Sequence, residues 1–150
     1  MILGASIGGL CAAEALAGSF EEVLLLERDQ LPDDARPRRG VPQGTQPHAL
    51  QMRGRGELES LFPGLLKTLQ ERGAFEFDPF QHVARLTPHG WAPRYDDLGG
   101  TALAASRPLF ELTLRQALLA RRPNVRIVEQ VRVTGLTHSR QDEQVWITGV

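Results

Sequence analysis

Six residues near the amino terminus restrict the possible folds more than anything else in the chain. Gly4-Ala5-Ser6-Ile7-Gly8-Gly9 follows directly on the apolar residues Met1, Ile2 and Leu3, and runs into an alanine- and leucine-rich stretch from Leu10 to Ala17. Gly18 and Ser19 break that helical stretch. Val23-Leu24-Leu25-Leu26 then forms a short continuous apolar run closed by Glu27. A run of this length between turn signals suits a strand buried on both faces, as in a parallel sheet. Strand, glycine turn, helix and strand within about 30 residues is the size and order of a βαβ unit.

The glycine spacing adds chemistry to that geometry. Dinucleotide sites use G-x-G-x-x-G between a strand and a helix, with an acid about 20 residues further on. Gly4 and Gly9 take the first and last glycine positions, where they permit the tight turn and the close packing of helix on sheet. Ser6 takes the middle position. Its Cβ crowds the approach of a pyrophosphate, while its hydroxyl is a candidate donor to a phosphate oxygen. A helix starting near Gly8 aims free N–H groups and its positive dipole end at the phosphates. Glu27 stands where a carboxylate accepts hydrogen bonds from ribose hydroxyls. It would repel a 2′-phosphate, which favours FAD or NAD over NADP. A glycine turn and a surface glutamate alone would be only structure; the flanking strand, the helix and the placed acid make the combination far more specific.

Further along, Arg28 to Pro47 holds four prolines, Gly40, Gly44 and a basic cluster of Arg36, Arg38 and Arg39. Long irregular loops in compact domains are more often functional than idle. Two short helices are predicted over about His48 to Phe62 and Gly64 to Arg72, broken at Pro63. Residues 75 to 97 read as strands, with Val83, Arg85 and Thr87 before a Pro88-His89-Gly90 turn and Trp91, Arg94 and Tyr95 after it. Ser106-Arg107-Pro108 reads as a capped helix start, with an apolar face of Leu109, Leu112, Leu114, Leu118 and Leu119. Val125 to Val128, Val131 to Leu136 and Val145 to Val150 read as three further strands. The predicted class is therefore α/β: a Rossmann-like domain with a βαβ start and an antiparallel strand insertion.

Composition excludes other classes. A net charge of −1, from 17 basic and 18 acidic side chains, gives no field to attract nucleic acid or anionic membrane. No apolar run approaches the roughly 20 residues of a membrane span, so a cytoplasmic protein is expected. The single cysteine, Cys11, allows no intrachain disulfide, and reads as a small buried hydrophobe. His48, His82, His89 and His138 lack metal-ligand spacing and read as surface or loop residues, so no metal is expected. Asp96 and Asp97, adjacent on a strand, would point to opposite faces and not cooperate. No Gly-x-Ser-x-Gly elbow marks a serine hydrolase. Trp91 and Trp146 read as strand-packing residues. No catalytic residue is assigned.

Glu27-Arg28-Asp29, followed by Pro37-Arg38-Arg39-Gly40-Val41-Pro42-Gln43-Gly44, resembles the amino-terminal part of FAD-dependent monooxygenases of the aromatic hydroxylase type, a group whose bacterial members include polyether-pathway epoxidases. Pro47-His48-Ala49-Leu50, Leu61-Phe62-Pro63-Gly64-Leu65, Ser106-Arg107-Pro108-Leu109 and Val131 to Leu136 extend the likeness over essentially the whole chain. The resemblance implies a site in which Gly4, Ser6, Gly8 and Gly9 surround the FAD pyrophosphate and Glu27, with Arg28 beside it, binds the adenosine ribose. Arg38 or Arg39 would lie by the pyrophosphate and flavin end, and Arg107 would reach the same cofactor. Val131 would touch adenine through its backbone, and Gln43 with its neighbours would line the isoalloxazine region. Relatives commonly carry a basic residue and a histidine where this chain has Thr45 and Gln46. Guanidinium forks suit a doubly charged pyrophosphate, although a solvated basic loop would look the same in sequence.

The implied activity is hydroxylation or epoxidation of a small organic substrate with O2 and NAD(P)H. No Asp-Gly or Gly-Asp pair occurs in the sequence, so the later cofactor motifs of the group are missing. The expectation is accordingly a partial FAD-binding domain over residues 1–150, incomplete at its carboxy end and with the substrate domain largely absent. The alternative is a truncated, non-catalytic nucleotide-binding remnant, or half of a split enzyme.

Overall fold

The structure, a computed structural model, describes residues 1–95, 100–141 and 144–150. A three-stranded parallel sheet lies at its centre. Strand β1 (Ile2–Leu3) pairs with β2 (Val23–Leu26), and β2 pairs on its other side with a strand from much later in the chain, Val125–Val128. As the middle strand, β2 is lined on both sides, and Val23, Leu25 and Leu26 are buried, which is why it reads as an unbroken apolar run. Helix α1 (Ile7–Leu16) crosses between β1 and β2. The connection back into β2 is closed by Asn124, whose Nδ2 donates to the carbonyls of Ala17 and Phe20 at 2.9 Å each.

A second sheet is antiparallel. It contains β3 (Pro47–Leu50), β4 (Phe75–Phe77) and, between them, a strand over Ala102–Ser106. Pro47 is tolerated because β3 is an edge strand, where a missing N–H costs no ladder bond. Helices α2 (Met52–Leu61) and α3 (Leu65–Glu71) join β3 to β4, and Gly64, at φ +86°, makes the sharp turn between them. A small hairpin follows, β5 (Leu86–Thr87) with β6 (Gly90–Trp91). The strand Ala102–Ser106 is β7. It leads into α4 (Arg107–Arg121), whose N-cap Ser106 accepts from the Leu109 amide at 3.3 Å. Val125–Val128 is β8. The chain closes with the hairpin of β9 (Thr137–Gln141) and β10 (Gln144–Gly149).

One core unites these layers. Leu10 of α1, Leu25 of β2, Phe62, Leu69 of α3, Leu103 of β7 and Phe110, Leu114 and Leu118 of α4 are essentially sealed from solvent. Among the described residues no helix is long and apolar enough to cross a membrane.

Several local expectations are overturned. The segment predicted as a helix from His48 begins instead as β3, because Pro47–Leu50 bonds to β7, some fifty residues on and itself unpredicted. Val131 to Leu136 is not a strand; it has no neighbouring strand, and Leu136 is exposed. Of the three strands expected there, Val125–Val128 joins the parallel sheet, and the last pairs with Thr137–Gln141 in place of Val131 to Leu136. Val83, Arg85, Arg94 and Tyr95 fall outside strands. Trp91 and Trp146 are exposed rather than packed, as is Leu119, whose expected place on the buried face of α4 goes to Phe110. Cys11 is half-buried against the core, and burial raises its thiol pKa. Asp96 and Asp97 lie outside the described residues.

Candidate functional site: a cleft at the start of the first helix

Backbone geometry at the glycine turn is set by two positions. Gly4 adopts φ +91°, closed to most side chains, while its N–H donates to the Leu26 carbonyl at 2.8 Å. The Gly4 carbonyl in turn fills the space that a side chain at Gly9 would need, so α1 is laid directly on β1. Gly8 faces open space. Ser6 is the N-cap residue by backbone, at φ −87° and ψ −177°, yet its side chain makes no capping bond and the first turn contains no acidic residue. The positive end of α1 is therefore not neutralised from within its own sequence.

Glu27, at the end of β2, is buried beside this turn. Its Oε2 accepts from the Ala5 amide at 2.7 Å and its Oε1 from the Asp29 amide at 3.0 Å, and Arg38 Nη1 lies 3.1 Å from Oε1. Burial alone would push the carboxyl up, but the two amides and the Arg38 charge outweigh it and hold its pKa below the ordinary value. The same arginine binds Asp29 at 2.9 Å and Glu111 at 3.2 Å. Burial opposes the Arg38 charge as well; the carboxylates of Glu111 and Glu27, and its hydrogen bonds to Asp29 and Glu111, raise its pKa above the usual guanidinium value. Its Nη2 is buried and has no partner among the described residues.

A second arginine completes the cluster from α4. Arg107 donates through Nε to Glu111 at 2.8 Å and through Nη2 to the Ser6 hydroxyl at 2.7 Å, and its Nη1 lies 3.0 Å from His48 Nε2. Ser6 Oγ in turn donates to Glu111 Oε1 at 2.7 Å. His48, expected at the surface, is half-buried on β3 with its ring tilted against Phe110.

Of these groups, Ser6, Glu27, Arg38 and Arg107 border an open cleft of about 460 Å³. Its floor is Leu3, Gly4 and Ser6; one wall is Leu26 to Arg28 with Val131 and Val133; the other is Arg38, Gly40 to Gln43 and Arg107. Of the residues expected to bind a cofactor, all but Gly8, Gly9 and Arg39 line it. Gly8 and Gly9 lie in the first turn of α1, and Arg39 lines an adjoining groove with Arg28 and Arg132. The arginine cluster of the loop is not brought together. Arg36 points to solvent beside Asp34, Arg39 is exposed, and only Arg38 is built into the site. The alternation at Val131 and Val133, which reads as a strand, serves the cleft wall instead. Asp29, His48 and Glu111 were not legible as site residues. For Glu111 the available signal was its four-residue spacing from Arg107, which places the two on one helix face.

The arrangement fits the diphosphate of a dinucleotide. It offers free amides at an uncapped helix end, a glycine cradle, and two guanidinium groups, one with an unpartnered buried nitrogen. No family model matches the chain. It is similar to Protein Rv3254 of Mycobacterium tuberculosis, at 35% identity over a 153-residue alignment that takes in 97% of this chain and 31% of that protein. The chain thus spans about a third of the length of this curated relative. Among solved structures, PqsL, described as a probable FAD-dependent monooxygenase from Pseudomonas aeruginosa, superposes with a TM-score of 0.64 at 17% identity, covering 98% of this chain and 37% of that one. PyrE3, a Diels-Alderase of pyrroindomycin biosynthesis, gives 0.61 at 21% identity, covering 99% and 28%. THI4 of Thermovibrio ammonificans gives 0.54 at 16%, covering 97% and 43%. Over the part these alignments span, the chain has the mixed α/β fold found in an FAD-dependent monooxygenase.

Proposed function

We propose that the cleft binds FAD, and that this chain is the FAD-binding portion of a flavin-dependent monooxygenase. The reaction class would be hydroxylation or epoxidation of a small organic molecule with O2 and NAD(P)H. The observation that carries the reading is the uncapped end of α1 at a cleft lined by Arg38 and Arg107, with the buried Glu27 carboxylate beside the same turn. Flavin, when bound, supplies the electron transfer and oxygen activation. The protein's part is to hold and orient it.

The amides of the first turn of α1 and the two guanidinium groups take the diphosphate. Glu27 takes the ribose. Three of its roughly four lone-pair directions are already used by Ala5, Asp29 and Arg38, which leaves room on Oε2 for one hydroxyl. The Val131 amide donates to the Glu27 carbonyl at 2.9 Å, so its carbonyl is the group left for the adenine amine. Gln43, on the cleft wall, would line the isoalloxazine region. Ser6 does not donate to a phosphate in this arrangement, because its one hydroxyl proton goes to Glu111.

The test is the visible spectrum of the purified chain after FAD loading and desalting. Retained bands near about 375 and about 450 nm, lost on Arg107→Ala, are the expected result. A folded chain that retains no flavin would overturn the proposal. Oxygen consumption with NADH or NADPH then separates an oxygenase from a chain that only binds the nucleotide.

A further inference from the structure

Ser6 and Ser106 both stand at helix N-caps with extended backbones, and their side chains behave differently. Ser106 caps α4 by accepting from Leu109 N. Ser6 makes no cap on α1. Its hydroxyl is engaged by residues more than a hundred positions away, donating to Glu111 Oε1 and accepting from Arg107 Nη2, each at 2.7 Å. Serine is among the strongest N-cap residues, so something must hold this one away from the amides it would otherwise bond.

Glu111 does so both directly and through Arg107, whose guanidinium it fixes through Nε at 2.8 Å while Nη2 holds the Ser6 oxygen. An ionised carboxylate only accepts, so the Ser6 O–H must point at it, and that direction leads to α4. Glu111 is itself immobilised, with its side chain 11% exposed and held by Arg107 Nε at 2.8 Å and Arg38 Nε at 3.2 Å. Its charge is offset by those two arginines, so it does not leave a bare anion beside the cleft.

We propose that Glu111 is a positioning residue that keeps the Ser6 hydroxyl off the first-turn amides of α1, leaving that helix end open to the diphosphate of a dinucleotide. The inference rests on the reading of the cleft given above, and part of its test does not depend on any ligand.

In the ligand-free chain, amide exchange at Gly8 and Gly9 is measured by NMR for the wild type, Glu111→Leu, Glu111→Gln and the double variant Glu111→Leu/Ser6→Ala. In Glu111→Leu the freed serine caps the helix, and exchange at these glycines slows several-fold. Adding Ser6→Ala restores fast exchange. Glu111→Gln retains an oxygen acceptor for Ser6 and exchanges like the wild type. FAD affinity, followed by flavin fluorescence, drops about tenfold in Glu111→Leu and is partly recovered in the double variant. Loss of packing alone would not be reversed by removing a second side chain. Should Glu111→Leu not fold, Glu111→Ala replaces it with a smaller apolar group. Unchanged glycine exchange in the apolar variant, or no recovery of affinity in the double variant, overturns the inference. If the exchange pattern holds but the wild type takes up no FAD, the Glu111–Ser6 arrangement stands and the flavin reading falls.

Discussion

The carbonyl oxygen of Gly4 lies 1.9 Å from the point where a Cβ on Gly9 would be placed. The obstruction is backbone, so neither partner can move aside without lifting α1 from β1. Gly9→Ala is expected to destabilise the chain by about 1–3 kcal/mol, the usual range for overpacking. Gly8→Ala, which meets nothing within 4 Å, is expected to be neutral or stabilising by up to about 1 kcal/mol through helix propensity. Urea unfolding of the two variants checks this, and equal effects would refute the packing role assigned to Gly9.

Arg38 and Arg39 are neighbours with opposite fates. Arg38→Ala leaves Glu27, Asp29 and Glu111 without their shared cation in a largely buried site, and stability and flavin uptake should fall together. Arg39→Ala removes an exposed side chain and should stay within about 0.5 kcal/mol of the wild type. Arg38→Lys should rescue poorly, because an ammonium does not reproduce a planar fork that serves three carboxylates. Thermal melts with and without FAD distinguish the three variants.

The depressed pKa of Glu27 has a definite consequence for acid stability. Its folded value lies below the ordinary 4.5, so ionisation stabilises the fold fully above that value, and the contribution is lost as pH falls through the folded value. Between about pH 5 and about pH 3 the urea midpoint of the wild type should fall more steeply than that of Glu27→Gln. Parallel pH profiles would show that Glu27 is not held ionised by its surroundings.

Glu14 is a buried carboxylate on α1, with its Oε1 bound by Arg122 through Nε at 3.1 Å and Nη2 at 2.9 Å. Hydrogen bonding to Glu14 and its charge raise the Arg122 pKa. Removing Arg122 leaves the buried acid with only Arg121, whose Nη2 is 3.5 Å from Oε1, whereas replacing the acid with an apolar group leaves arginines that can reach water. Arg122→Ala is expected to lower the melting temperature more than Glu14→Leu. The reverse order would mean that the pair holds the helices together rather than merely satisfying a buried charge.

What was legible in the sequence followed from locality. The unit β1–α1–β2 and the capped start of α4 announce themselves within a few residues, through an apolar run, glycine spacing and Ser106-Arg107-Pro108. Strands β3 and β7 do not. Ala102–Ser106 is mostly alanine, a residue depleted in strands, and it is a strand only because β3 and β4 flank it. The candidate site divides in the same way. Glu27, Arg38 and Arg107 are conspicuous by type and position, but nothing local shows that Arg38 faces inward and Arg39 outward. Glu111 looks like half of an ordinary surface ion pair until Arg38 and Ser6 arrive from elsewhere in the fold.

The strand order β1–β2–β8 also dictates a sequence of events during synthesis. As the chain leaves the ribosome, β2 can meet β1 at once, but its opposite edge stays unpaired until Val125–Val128 emerge, on the order of a hundred residues later. Arg107, Glu111 and Val131 come from the same late stretch. Until then, therefore, Glu27 and Arg38 exist without Arg107, Glu111 and Val131, alongside a bare apolar strand edge. Such an edge invites pairing with other chains. The cleft closes only after β8 has emerged, and a nascent chain that stalls before β8 is a form much in need of a chaperone.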